Sequence, residues 1–300
     1  MIPAADGTLL SSEPVEIPRG ALSMARRSMS EDDYRRFASV TLHAITYASS
    51  GLRIRGFLAL PPAGQVSYPA LIFNRGGSGP KGALVPETAM PIIGLYASWG
   101  YVAIASNYRG TGGSDGPDEW GAGDVDDALN VLPLLDAMPY VDRDRIGIVG
   151  GSRGGMMTYM MLRRTQRLRA AVTFGAPSQI HSVEASAYIR RTMAKHLDSG
   201  ANEQVEAERR SAVCWTSEMA AETPLLILHG TGDRRVDPMH SLRLATELQQ
   251  LHRPYKLIMY DNADHVLAGR RNESNDDIRW WVDHYVRDRA PLPRTGPHGA

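Results

Sequence analysis

Cysteine is almost missing from this 300-residue chain, where Cys214 stands alone. One thiol excludes an internal disulfide and any cysteine-based metal site, and it argues against a disulfide-dependent secreted life. Cys214 is expected to be buried and inert. Charge of either sign is not in excess. Lys plus Arg and Asp plus Glu number 33 each, giving a formal charge of +0. That balance lacks the electrostatic footprint of a nucleic-acid or anionic-membrane partner. Lysine itself is scarce, at positions 81, 195 and 256 only, and the arginines that take its place are scattered. No uncharged apolar run approaches bilayer length. The first residues, MIPAADGTLLSSEP, have neither the basic start nor the apolar segment of a signal peptide. A cytoplasmic location is expected.

What is present is enough apolar residue, 43%, for a sizeable core. Residues 1–40 read as an N-terminal arm with prolines at 3, 14 and 18. The arm ends in a short helix at SEDDYRRF, where Ser30 can cap and Asp33 holds the capping-box position. TLHAITY and LRIRGFLAL, joined by ASSG, predict an antiparallel hairpin at a sheet edge. In the second, Leu52, Ile54, Leu58 and Leu60 share a face opposite Arg53 and Arg55. From there short unbroken apolar runs alternate with helical segments. The runs are ALIF, YVAIAS, RIGIV, AAVTF, PLLILH and YKLIMY. Strands covered by helices on both faces show that pattern, so the fold class is α/β with a mainly parallel sheet. Three helices are readable between and after them. GDVDDALNVLPLLDAM should kink at Pro133, and DPMHSLRLATELQQL starts with Asp237 as cap and Pro238 at its first position. SNDDIRWWVDHYVRD carries an apolar stripe at Ile278, Trp281, Val282, Tyr285 and Val286. Residues 41–290 are expected to form one domain, with a small helical insertion at about 176–223 and a flexible tail at 291–300.

Two glycine-rich loops compete for the chemistry. NRGGSGPKG follows ALIF, and Gly77, Gly79 and Gly82 formally satisfy G-x-G-x-x-G. A dinucleotide loop must open a helix at once, yet Pro80 and Pro86 intervene. The acidic residue due at the end of the next strand is replaced by Asn107-Tyr108-Arg109. Only an NADP-type oxidoreductase reading through Arg109 survives. A phosphate-binding Walker loop fails, because Lys81 is not followed by Ser or Thr.

The second loop, Gly150-Gly151-Ser152-Arg153-Gly154, matches G-x-S-x-G between an apolar strand and the helix former MMTYMML. That context lifts a serine hydroxyl above the strand ends and aims the Arg153 N–H at a developing oxyanion. Bulk at 150 or 154 would collide with adjacent strands. A serine nucleophile needs a base, and the base an acid, due beyond later strands in the order Ser, Asp, His. HGTGDRRVDP offers Asp233 and Asp237. Asp237 has a capping task, so Asp233 is the better candidate. DNADHVLAG supplies His265 just past the last strand. Asp261 and Asp264 read as turn residues and His229 as structural. The second oxyanion donor belongs to the loop after ALIF, where the Gly76 N–H is favoured over Gly77.

Together GGSRGG, HGTGDRRV, DNADH and the upstream NYRGTGGSDG resemble the catalytic domain of the prolyl oligopeptidase family of serine peptidases over residues 40–290. The acylaminoacyl-peptidase and dipeptidyl-peptidase branches are nearest. The resemblance implies an α/β-hydrolase fold, a catalytic triad of Ser152, Asp233 and His265, and no metal or organic cofactor. It implies a small peptide or acyl-ester substrate. Two departures bear on which. Family members in those branches usually carry a large N-terminal β-propeller, for which these 300 residues leave no room. Their oxyanion loop often reads His-Gly-Gly-Pro, where this chain has Arg75-Gly76-Gly77-Ser78. A carboxylesterase or dienelactone-hydrolase-like activity is therefore the alternative, and a non-catalytic binding protein on the same fold is a further one. Tyr188 and Trp215 are candidate lining residues. Glu184, Glu203 and Glu206 are the insertion's acids, with nothing marking them to grip a substrate ammonium.

Overall fold

In the computed structural model, residues 4–181 and 186–293 are described. The chain divides into two compact units, Met1–Asp118 with Ala122–Ile146, and Glu119–Gly121 with Gly147–Ala300.

In the first unit the strand order is β1-β2-β3-β5-β4, with β1 Leu9–Val15, β2 Thr41–Ser49, β3 Leu52–Leu60, β4 Tyr68–Asn74 and β5 Val102–Ser106. The pairs β1/β2, β2/β3 and β3/β5 are antiparallel, and β4/β5 is parallel. The expected hairpin is β2–β3, in register from Thr41↔Leu60 to Ser49↔Leu52. It does not form the edge. That place is taken by β1, from the stretch expected as a loose arm. β1 is exposed along almost its whole length and pairs Pro14 with His43. Proline is tolerated on an edge strand, where its missing N–H breaks no inner ladder.

Helix α1, Arg19–Ser28, and helix α2, Glu31–Ala38, follow β1. Ser30 caps α2 by accepting the Asp33 N–H at 3.2 Å, and its hydroxyl donates to the Asp33 carboxylate at 2.5 Å. Short helices α3, Pro86–Ala89, and α4, Leu95–Ser98, flank a π turn at Met90–Gly94. The segment expected to kink at Pro133 is two helices, α5 Asp124–Leu129 and α6 Val131–Asp136. The break falls at Asn130 because Pro133 has no N–H for the carbonyl four residues back and its ring crowds that carbonyl.

Strand β6, Val141–Gly151, carries the chain into the second unit, whose order is β6-β7-β8-β9, all parallel. β7 is Ala170–Phe174, β8 Leu225–Gly230 and β9 Tyr255–Tyr260. β8 is buried throughout and β7 everywhere but its last residue, which is why these strands read as unbroken apolar runs. Helix α7, Arg153–Arg164, follows β6 directly. The stretch 176–223 contains α8, Ala187–Ala194, α9, Glu203–Arg209, and two 3₁₀ turns at Ala212–Cys214 and Thr216–Glu218. Glu184 and most of the expected tail lie outside the described residues. Helix α10 is Met239–Gln250 and α11 is Arg271–Val282. The stripe Ile278, Trp281, Val282, Tyr285 and Val286 is buried as its spacing requires.

Candidate active site

Ser152 sits between β6 and α7 with φ 55° and ψ −125°, a conformation that costs a non-glycine residue energy. Its N–H donates to the Phe174 carbonyl at 2.8 Å, and its own carbonyl accepts the Gly155 N–H at 2.9 Å. The neighbouring glycines make the turn possible, although not quite by the expected contacts. A Cβ at Gly150 would strike the Gly154 carbonyl and the Thr158 hydroxyl of the following helix. A Cβ at Gly151 would strike the Phe174 ring on the adjacent strand. Arg153 is the first residue of α7, where backbone N–H groups point out of the helix at its positive end.

Three residues distant in sequence meet here. The Ser152 Oγ lies 2.9 Å from His265 Nε2, and His265 Nδ1 lies 2.8 Å from Asp233 Oδ2. A carboxylate can only accept, so Nδ1 carries the hydrogen on that side and the neutral ring offers Nε2 to the serine hydroxyl. Asp233 Oδ1 accepts the N–H groups of Arg235 at 2.8 Å and Val236 at 3.0 Å. Burial pushes the Asp233 carboxyl pKa up. Hydrogen bonds from His229, His265 and the two amides outweigh burial and hold it well below the usual carboxylate range.

Other candidates fall elsewhere. Asp237 Oδ1 accepts the Met239 N–H at 2.9 Å, so its carboxylate caps α10. His229, read as structural, lies 3.2 Å from Asp233 Oδ2 through its Nε2. Its HxxxD spacing was the signal available for that contact. Gly76 follows β4 in the first unit, where the Arg75 guanidinium donates to the carbonyls of Gly76 at 3.1 Å and Gly77 at 3.3 Å. The nucleotide reading of this loop loses its supports. The loop runs into a 3₁₀ turn at Gly79–Gly82, and the Gly79 N–H is taken by the Asp118 carboxylate at 2.9 Å. Arg109 is buried in a two-pronged pair with Asp127, at 2.9 and 3.0 Å.

In the insertion, Cys214 is exposed, contrary to expectation. It ends a 3₁₀ turn whose inward residue is Ala212, and its Sγ lies 3.5 Å from His181 Nδ1. Trp215 is buried, donates to the Glu208 carbonyl at 3.2 Å and lies under the Arg163 guanidinium, so it is packing. Tyr188 is exposed. Glu206 is paired with Arg210, and Glu203 is exposed at the start of α9. No helix among the described residues is long and apolar enough to cross a membrane.

Comparison with known proteins gives a consistent result. The family model described as "Prolyl oligopeptidase family" matches residues 89–288. An uncharacterized peptidase of Bacillus subtilis, YtmA, is 33% identical over 246 residues, which are 79% of this chain and 93% of that protein. Human dipeptidyl peptidase 8 is 28% identical over 257 residues, 80% of this chain but 28% of its own length. Among solved structures, the Pyrococcus horikoshii acylaminoacyl peptidase superposes with a TM-score of 0.69 at 20% identity, over 88% of this chain and 43% of that one. The chain therefore spans nearly all of one relative and less than half of the others named. The fold is that of the α/β-hydrolase peptidases.

Proposed function

This chain belongs to the prolyl oligopeptidase family of serine peptidases, and on that premise we propose that Ser152 is its nucleophile, His265 its general base and a peptide bond its target. The observation that carries the reading is the pair of contacts on one imidazole, Ser152 at 2.9 Å and Asp233 at 2.8 Å. His265 takes the serine proton as Oγ attacks the carbonyl carbon. Asp233, held ionised by its donors, orients the ring and stabilises the imidazolium. The Arg153 N–H is assigned to the oxyanion, with the Gly76 N–H kept from the sequence as second donor. One such donor is worth about 10²–10³ in rate. His265 then protonates the leaving amine, and water hydrolyses the acyl-enzyme by the same proton path.

The insertion is assigned to the substrate wall. In support, Ser186, which caps α8, donates to the Arg235 carbonyl beside the acid loop at 3.1 Å, and Tyr188 two residues on is exposed. A cytoplasmic location is part of this proposal. The test is hydrolysis of a panel of aminoacyl p-nitroanilides and p-nitrophenyl esters by the wild type and Ser152→Ala. Anilide and ester turnover that falls at least about 10³-fold in the variant is expected. Ester turnover alone would favour a carboxylesterase or dienelactone-hydrolase-like enzyme. Turnover equal in both proteins would remove the serine from the mechanism.

A further inference from the structure

One polar group beside the proposed triad has so far figured only as one of the donors that keep Asp233 ionised. His229, next to last in β8, is fully enclosed. A polar ring is costly to bury unless both nitrogens find partners. They do. Nδ1 lies 2.6 Å from the Ser241 hydroxyl, and Nε2 faces the Val236 carbonyl at 3.0 Å and Asp233 Oδ2 at 3.2 Å. A carbonyl and a carboxylate both accept, so Nε2 must carry a hydrogen, and it does so whatever the charge on the ring. The same Oδ2 also accepts from His265 Nδ1 at 2.8 Å. Two imidazoles thus converge on one carboxylate oxygen, while two backbone amides hold the other.

We propose that His229 is a positioning residue whose Nε2–H fixes Asp233 Oδ2 in the orientation that His265 needs. The inference rests on the triad reading. The backbone amides fix Oδ1 but leave the carboxylate plane a residual swing about its last torsion. The His229 N–H, shared between Oδ2 and the Val236 carbonyl and backed by Ser241, limits that swing. A residue needed only to fill space would serve equally well without a donor, and that difference can be measured.

The experiment measures kcat and KM of the full chain on p-nitrophenyl butyrate for the wild type, His229→Leu, His229→Gln and Asp233→Asn. His229→Leu is expected to lower kcat about ten- to a hundredfold, the range for a hydrogen bond to a charged group, with KM held within about twofold. His229→Gln places an amide N–H near the Nε2 position and is expected to recover most of that loss. Asp233→Asn is expected to cost more than His229→Leu. Unimpaired His229→Leu, or equal impairment of the leucine and glutamine variants, alongside a crippled Asp233→Asn would overturn this inference alone. An active Asp233→Asn would overturn the triad reading and this inference with it. If His229→Leu does not fold by circular dichroism, Ser241→Ala decides. It keeps the ring and removes its anchor, so a severalfold fall in kcat at constant KM is expected, and wild-type kcat would refute the role.

Discussion

Acidification is expected to destabilise the second unit through His240. This residue lies in the first turn of α10 with no exposed surface, and its Nδ1 accepts the N–H groups of Ser178 at 2.9 Å and Gln179 at 3.1 Å. A proton on Nδ1 would break both bonds in a place water cannot repair. Burial is the main cause that lowers its pKa. The nearby His229 and Arg243 add to the depression, while Asp237 and Asp233 oppose it, and the result is a fall from 6.5 to about 4. The unfolded chain therefore takes up a proton near pH 6.5 that the folded chain refuses until about pH 4. Stability from this source is complete above the unfolded value and is lost as pH falls through that window. At 1.36 kcal/mol per pH unit the whole window is worth about 3 kcal/mol, a large share of a typical 5–15 kcal/mol. Urea unfolding near pH 7 and near pH 4.5 measures it, with His240→Asn as the control. The asparagine Oδ1 can accept the same two amides and does not titrate. The wild type is expected to lose about 2–3 kcal/mol more than the variant between those two pH values. Parallel losses would refute the assignment.

Two further outcomes follow from the site. Gly175 has φ 55°, and a Cβ there would lie 2.9 Å from the His265 carbonyl oxygen and 3.2 Å from its Nδ1. Gly175→Ala is expected to lower stability by about 1–2 kcal/mol and p-nitrophenyl butyrate kcat by more than about tenfold, since the ring must move off Asp233. An alanine variant with wild-type kcat would show that the ring has room to spare. Asp237→Ala is expected to cost about 1 kcal/mol through the lost cap of α10 while leaving kcat within about twofold. A collapse of its activity on the same ester would reopen the choice between the two aspartates.

The sequence was most legible where local chemistry and tertiary environment agree. ALIF, AAVTF and PLLILH are apolar without interruption because both faces of those strands are covered, and each is a strand in the fold. Ser30 and Asp33 announce α2 because the cap needs only three residues of chain. Ser152, Asp233 and His265 were assigned through the order of motifs, since each follows one of the strands that were visible, β6, β8 and β9. β1 was not legible. LLSSEPV has no buried face to impose a period, and only pairing with β2 makes it a strand. Cys214 was misjudged for a related reason. Cysteine is usually buried, but which side of a 3₁₀ turn faces inward depends on what packs beneath, and here Ala212 takes that place. His229 was read as structural from its place at the end of a strand, and its contact with Asp233 stayed hidden because the turn that follows brings the two together.

That turn explains why HGTGDRRV reads so clearly as a unit. Among the described residues, the donors to Asp233 other than His265 come from within this stretch: the ring of His229 and the amides of Arg235 and Val236. The proposed acid is therefore held largely by its own loop, whereas the serine and the histidine come from positions 113 residues apart. The division has a physical advantage. A buried carboxylate with no donors would remain protonated and could not hold an imidazolium. Tying most of its donors to neighbours in sequence makes that condition less dependent on small shifts in the other loops. The long-range contacts then have one task left, the alignment of His265 between an oxygen already fixed and a hydroxyl held at a strained turn. Strain at Ser152 and saturation at Asp233 are in this sense complementary, because the hydroxyl is held by a turn tied to the neighbouring strand and the carboxylate by its own loop, and the ring must meet both.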